Sequence, residues 1–317
     1  MNDIESTSIP KISVEEHWGT TKIPETSPPQ SFLPKLEDFT QHRIPEMNRL
    51  GITMQIISTG SPGIQGIKNT KQAITVAKKV NDTLHEQISK YPGRFAAFAA
   101  LPTQDPDAAA DELERTVKDF GFKGTMIHGH TNGEYLDEKK YHVIWERAEE
   151  LGVPIYLHIS NTPVDHHALY KDHPELQGSA WHWNVEAATH ALRVICGGVF
   201  DDYPKAVLLL GHMGELLPYA LKRVDEGYRS AKKFRELLKR PSEYFRENVY
   251  ITSSGWYFPE SMRCAVDVLG VDRILFASDY PFRQMEEGVQ HIEACNLTQT
   301  EKEKIYHLNA KKLFNIK

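Results

Sequence analysis

Five ionisable residues of this sequence stand in contexts that suit catalysis. Glu15 and His17 lie in Val14-Glu15-Glu16-His17, and His158 in Tyr156-Leu157-His158-Ile159. His212 lies in Leu210-Gly211-His212-Met213-Gly214-Glu215, and Asp279 in Ala277-Ser278-Asp279-Tyr280-Pro281-Phe282. Each ends or follows a short apolar, β-rich run. Residues i and i+2 of a strand project to the same side, so Glu15 and His17 would present a carboxylate and an imidazole together. One buried histidine at a strand end is usually a hydrogen-bonded structural group. Five ionisable groups, each at the same end of its strand, are harder to assign to packing, because an unpaired buried charge costs several kcal/mol. A divalent cation removes that cost. Imidazoles and carboxylates together suit Zn²⁺, Mn²⁺ or Fe²⁺ better than Ca²⁺, which prefers all-oxygen cages.

The elements that must position these groups recur regularly. Short β-rich runs occupy Lys11–His17, Thr53–Ser58, Arg94–Leu101, Gly124–His128, Pro154–Ile159, Ala206–Gly211, Val249–Ser253 and Arg273–Ala277. Several, such as Val207-Leu208-Leu209-Leu210, are apolar throughout, as strands of a parallel sheet covered on both faces are. Amphipathic stretches lie between them. Lys68–Lys90 and Asp107–Phe120 carry apolar stripes at helical spacing, and Gly121, Gly152 and Gly270 stand where helices would end. Eight β-then-α units predict an α/β fold, a single (β/α)8 TIM barrel over residues 11–317 behind a flexible polar tail at 1–10. A doubly wound open sheet is the alternative, but its usual Gly-rich phosphate loop is missing. Two segments exceed the plain repeat, residues 19–34 and 161–183. In a barrel both follow strands at the C-terminal face, where active-site loops gather.

The remaining histidines divide by context. His128 and His130 end the fourth run and are secondary pocket candidates. His182, between Trp181 and Trp183, would contribute to the pocket wall. His166, His167 and His173 lie in a polar loop and read as solvated surface, as do His42, His85 and His142 on amphipathic helices.

Composition narrows the function classes. The chain has 317 residues, 37 Lys and Arg against 43 Asp and Glu, and a net charge of −6. Its basic residues are dispersed, so it has no electrostatic footprint for nucleic acid. No apolar run approaches the roughly 20 residues that span a bilayer. The first nine residues lack the apolar core of a signal peptide. Three well-separated cysteines, Cys196, Cys264 and Cys295, read as reduced thiols of a cytoplasmic protein.

Taken together, the motifs resemble those of the amidohydrolase superfamily, in its branch of metal-dependent aromatic-acid decarboxylases, which includes the γ-resorcylate and 2,3-dihydroxybenzoate decarboxylases. The resemblance runs from about Ile12 to Phe314. It is carried by the contexts of Glu15 and His17, of His212 and of Asp279 above, together with Phe95-Ala96-Ala97-Phe98-Ala99-Ala100-Leu101-Pro102, His190-Ala191-Leu192-Arg193 and Asn309-Ala310-Lys311-Lys312-Leu313-Phe314. It implies that Glu15, His17, His158 and Asp279 bind one metal ion, Zn or Mn. It implies that His212, supported by Glu215, is an acid–base residue beside it. Glu15-x-His17, in place of the His-x-His of most of the superfamily, resembles the γ-resorcylate group in particular. Two-metal members often carry a bridging lysine after the fourth strand; here that end reads Thr125-Met126-Ile127-His128. Departures from close relatives fall at Ile159-Ser160-Asn161 and Trp181-His182-Trp183, in the expected pocket wall, and so bear on the substrate more than on the chemistry.

The expected reaction is non-oxidative decarboxylation of an ortho-hydroxylated aromatic acid, reversible as phenol carboxylation. The metal would hold the carboxylate and the neighbouring phenolate oxygen. Asp279, or His212 in its place, would protonate the ring carbon. Phe32, Trp183, Tyr257 and Phe282 would keep the pocket dry. The partner is thus a small aromatic acid, and the assembly a homodimer or homotetramer. The alternative from another reaction class is a metal-dependent hydrolase of an ester, lactone or amide.

Overall fold

The computed structural model describes residues 9–26, 30–159 and 170–317. Among these residues eight parallel strands succeed one another: β1 (Lys11–Trp18), β2 (Ile52–Thr59), β3 (Phe95–Ala97), β4 (Thr125–His128), β5 (Ile155–His158), β6 (Leu208–Leu210), β7 (Val249–Thr252) and β8 (Ile274–Leu275). They pair in sequence order, β1 to β3 and β4 to β8. A parallel bridge between Ala99 and Thr125 joins the two sets. The ring closes where Val14 N–H donates to the Phe276 carbonyl at 3.0 Å and His17 N–H to that of Tyr280 at 2.7 Å. This is the (β/α)8 barrel that the repeat predicts.

The barrel interior holds Ile12, Val14, Ile56, Phe98, Met126, Tyr156, Leu209, Tyr250 and Leu275, with Ala310 and Phe314 of the last helix (Asn309–Phe314) packed against them. The alternate residues, among them Ile57, Leu157, Leu210, Ile251 and Phe276, face the helical layer. Period-two alternation therefore carries the inward set upward along most strands, from Met126 to His128, Tyr156 to His158 and Tyr250 to Thr252.

β1 breaks this rule. Ser13 pairs with Gln55, yet Glu16 pairs with Ile57, so β1 spends one extra residue there. This is a β-bulge. It reverses the strand's parity: Ile12 and Val14 face inward below it, Glu15 and His17 above it. Simple alternation from the apolar core would have pointed Glu16 inward instead.

The helices start and stop on local signals. Asn69 caps the helix Thr70–Ile88 by accepting from Gln72 N–H at 3.0 Å. Asp105 caps Pro106–Phe120, which ends at Gly121 with φ +70°. Both elements match the sequence reading within two residues. The third and eighth strands are shorter than expected. Beyond Ala97 and Leu275 the chain stays close to its neighbours: Phe98 N–H donates to the Ile57 carbonyl and Val14 N–H to that of Phe276, both at 3.0 Å. After β6 the chain does not run straight into a helix. It forms a tight turn in which His212, Met213, Gly214, Glu215 and Leu216 all have positive φ, and the helix begins only at Leu217.

Candidate active site

The upper inward residues converge on one point. The Glu15, His17, His158 and Asp279 side chains each present an atom, and these four atoms lie within 4.8 Å of one another. His17 Nε2 is 3.1 Å from Asp279 Oδ1, and His158 Nε2 is 3.4 Å from Glu15 Oε1. The same four atoms are buried and have no hydrogen-bond partner. Orphaned buried acceptors are rare, since leaving one unmade costs about 1–3 kcal/mol, more if charged. Four together fit a cation held between them.

The outer atoms of these side chains are held. The other oxygen of Glu15 accepts from Thr252 Oγ1 at 2.6 Å and from Ser254 Oγ. His17 Nδ1 faces the Thr59 carbonyl at 3.4 Å, and His158 Nδ1 that of Ile159 at 3.3 Å. A carbonyl at Nδ1 selects the tautomer whose Nε2 lone pair is free to bind a metal. His128 also sits against His158, with Nδ1 to Nδ1 at 3.2 Å, and its Nε2 meets the Thr59 carbonyl at 3.0 Å. It braces a member of the group from behind and does not line the cavity above.

His212 adjoins the group. Its Nε2 is 3.3 Å from Glu15 Oε1 and 3.9 Å from Asp279 Oδ2, while its Nδ1 meets Glu215 Oε1 at 2.6 Å. The left-handed turn aims both side chains. For L-residues this conformation costs roughly 1–2 kcal/mol each, and such strain concentrates at functional sites. Gly255, at φ +74°, packs against the His212 ring: a Cβ there would meet His212 Cδ2 at 2.7 Å. Asp279 is left-handed too, at φ +60°.

Electrostatics follow from this packing. Burial alone would raise the carboxyl of Glu15, but His212 and His158 outweigh it and hold the group well below the usual carboxylate range. Burial likewise opposes the protonated form of His212, and Glu15 and Glu215 overcome it, raising the imidazole well above its ordinary value. Burial lowers His158 and, further, His128, keeping both neutral. Asp279 is lowered against its burial by the adjacent His17 and His212 imidazoles.

Above this floor lies a cavity of about 600 Å³ walled by Phe32, Trp183, Trp256 and Phe282, with Asn184 and Arg283 adding polar groups. Phe32 and Phe282 meet edge to face, centroids 5.0 Å apart. Of the four wall residues expected from sequence, Phe32, Trp183 and Phe282 line the cavity and Tyr257 does not. Its hydroxyl turns away to the Ser278 carbonyl at 3.1 Å, and its neighbour Trp256 takes the wall position.

The other histidines fall variously. His182 is buried against the Tyr170 hydroxyl, at 2.9 Å, behind the wall and not in it. His173 is solvated and pairs with Glu175, as expected. His85, expected at the surface, instead stacks on Phe120 at 4.1 Å. His166 and His167 lie outside the described residues.

The chain belongs to the amidohydrolase family. The Amidohydrolase model matches residues 32–316. The chain is 37% identical over 324 residues to the γ-resorcylate decarboxylase of Rhizobium sp. (strain MTP-10005), covering 96% of this chain and 98% of that one. Among solved structures, 2,6-dihydroxybenzoate decarboxylase complexed with 2,6-dihydroxybenzoate superposes with a TM-score of 0.92 at 36% identity, covering 97% and 99% of the two chains. The dihydroxybenzoic acid decarboxylase of Polaromonas sp. JS666, with bound manganese and the inhibitor 2-nitroresorcinol, gives 0.90 at 36% identity over 96% and 97%. Manganese, one of the two metals expected from the motif, thus occurs in this group of amidohydrolases.

Sequence reading missed Glu16, Thr252, Ser254 and Trp256. The adjacent pair Glu15-Glu16 in an apolar strand was the available signal for the first: a second carboxylate so placed must also be satisfied. Thr252 and Ser254 are ordinary β-strand residues and carry no such mark.

Proposed function

We propose that this chain is a metal-dependent non-oxidative decarboxylase of an aromatic acid bearing a hydroxyl ortho to its carboxylate, a carbon–carbon lyase of the γ-resorcylate type. The observation that carries the reading is the His212–Glu215 pair standing beside four orphaned metal-binding atoms under an aromatic wall. Glu15, His17, His158 and Asp279 are the residues that would hold one divalent ion, manganese or zinc. When bound, that ion supplies positive charge to the substrate's carboxylate and ortho oxygen.

The chain's own groups do the rest. Asp279 and His212, within 3.9 Å of each other, stand where a proton can pass to the ring carbon that bears the carboxylate. Protonation at that carbon lets the C–C bond break with its electron pair returning to the ring, so CO₂ leaves and aromaticity is restored. Glu215 orients His212 and shares its proton. Phe32, Trp183 and Phe282 exclude water, which favours protonation by the protein over hydrolytic side reactions. The same steps reversed carboxylate a phenol. Leu176 and Trp181, exposed apolar side chains beside the wall, support assembly as a homodimer or homotetramer, and the reduced cysteines a cytoplasmic setting.

Incubation with 2,6-dihydroxybenzoate, 2,3-dihydroxybenzoate, salicylate and 4-hydroxybenzoate in D₂O tests the reaction. CO₂ should form from one or more ortho-hydroxylated acids, with deuterium at the former carboxyl position, and 4-hydroxybenzoate should be poor. Hydrolysis of esters, lactones or amides with no decarboxylation of any ortho acid overturns the reading.

A further inference from the structure

Glu16 points away from the metal-binding group, yet its carboxylate is fully buried. Its partners lie in one short segment. Oε1 accepts from Ser278 N–H at 2.9 Å, and Oε2 from Tyr280 N–H at 3.0 Å. Ser278 Oγ lies 2.8 and 2.9 Å from the two oxygens, and Ser13 Oγ donates from within β1. Glu16 thus grips the residues on both sides of Asp279, whose own N–H donates to the Glu15 carbonyl at 2.9 Å. Arg43, also fully buried, backs this arrangement: it donates to the His17 carbonyl at 2.6 Å and stacks over the Tyr280 ring at 4.6 Å.

We infer that Glu16 is a positioning residue whose carboxylate locks the left-handed backbone at Asp279 and thereby sets that ligand against Glu15, His17 and His158. The bulge in β1 makes this possible. By reversing parity it sends Glu15 and His17 inward and leaves the residue between them facing the β8 continuation. Every partner of Glu16 in that segment is a donor, and the two carboxyl oxygens give one acceptor to each end of it. Asp279 holds φ +60°, which costs an L-residue roughly 1–2 kcal/mol, and the contacts of its two neighbours with Glu16 offset that cost.

Glu16→Gln keeps the shape and replaces one acceptor oxygen by a donor that faces N–H or O–H donors. Metal affinity of the purified protein, measured by chelator competition with Mn²⁺, should fall about 10–100-fold, the range for lost outer partners of metal ligands. In the metal-free protein, amide exchange at residues 278–280 should accelerate while β4 to β6 stay protected. Should that variant fail to fold, Ser278→Ala and Ser13→Ala form the test. Both remove a hydroxyl donor to Glu16, but only the first lies in the Asp279 segment, so only the first should weaken Mn²⁺ binding. Wild-type affinity and exchange in folded Glu16→Gln, or equal losses in the two serine variants, overturn the inference. Neither readout uses an aromatic acid, so a failed decarboxylation assay leaves both intact.

Discussion

The floor and the wall of the cavity are built differently. Floor side chains come from barrel strands and their immediate continuations, where parity and two hydrogen-bonded neighbours fix each direction. Glu15 is held by Thr252 and Ser254, His158 by a carbonyl and His128, and Asp279 by the grip of Glu16. Wall side chains come from connections and helix starts: Phe32 precedes a short helix at Leu33–Glu37, Trp183 opens His182–Cys196, and Phe282 follows Asp279 in a turn. Phe32 and Phe282 meet through their rings, centroids 5.0 Å apart. The floor can therefore define a reaction within narrow tolerances, while the wall can change shape and residue without disturbing it. Of the two segments read as departures from close relatives, Ile159 and Trp183 line the cavity, Trp181 and His182 do not, and Ser160 and Asn161 lie outside the described residues.

The largest expected effects come from the floor. His158→Ala should lose most of the bound metal and reduce turnover to background, measured by elemental analysis and CO₂ release. His212→Asn should keep its metal while turnover falls about 10²-fold or more, the usual scale of a lost acid–base group. Retained metal and activity in His158→Ala would break the assignment of the floor. Metal loss in His212→Asn would move that histidine into the ligand set.

A wall substitution sharpens the contrast. Trp183→Ala should leave metal content unchanged and raise KM about tenfold, which corresponds to ~1.4 kcal/mol of binding. It should also shift preference among ring-substituted acids, because a hydrophobic wall discriminates by shape. If metal content fell in this variant, floor and wall would not be separable in this molecule.

The sequence makes the floor legible for the same reason that the floor is rigid. Glu15, His17, His158 and Asp279 are costly residues in apolar strands, and their chemistry demands those types at those strand ends. The barrel repeat is equally plain, since each strand is a run of buried β-formers. What stayed hidden depended on backbone geometry that no side chain announces. The bulge between Ser13 and Glu16, the left-handed turn from His212 to Leu216 and the rotation of Tyr257 out of the wall leave no periodicity behind. The wall was half legible: aromatic residues in the two long segments pointed to it, but not which ring of Trp256-Tyr257 faces inward.

One residue joins the two regions, and it gives the prediction with the least effect on turnover. Glu186 lies on the helix whose first turn supplies Trp183 and Asn184 to the wall, near enough to Glu215 to feel its charge. It is buried, and neither carboxyl oxygen has a partner. Burial, with a smaller contribution from the charge of Glu215, pushes its carboxyl up to about 8. The unfolded chain would titrate near an ordinary glutamate, at about 4.3. Below that pH both states carry the proton and the group does not affect stability. Between about 4.3 and 8 the unfolded chain releases its proton while the folded one keeps it, so stability falls as pH rises and levels off above the folded value. Glu186→Gln removes this dependence. Glu16, raised by burial to about 7, acts in the same direction but is present in both proteins and cancels in their difference. Relative to wild type, the variant should therefore gain stability from pH 5 to pH 8.5, by an amount on the order of a few kcal/mol at ~1.4 kcal/mol per unit. Urea unfolding of both proteins at the two pH values reads this directly, and a stability difference that does not change with pH would show that Glu186 is ionised in the folded protein and that the wall helix meets the floor through a charge.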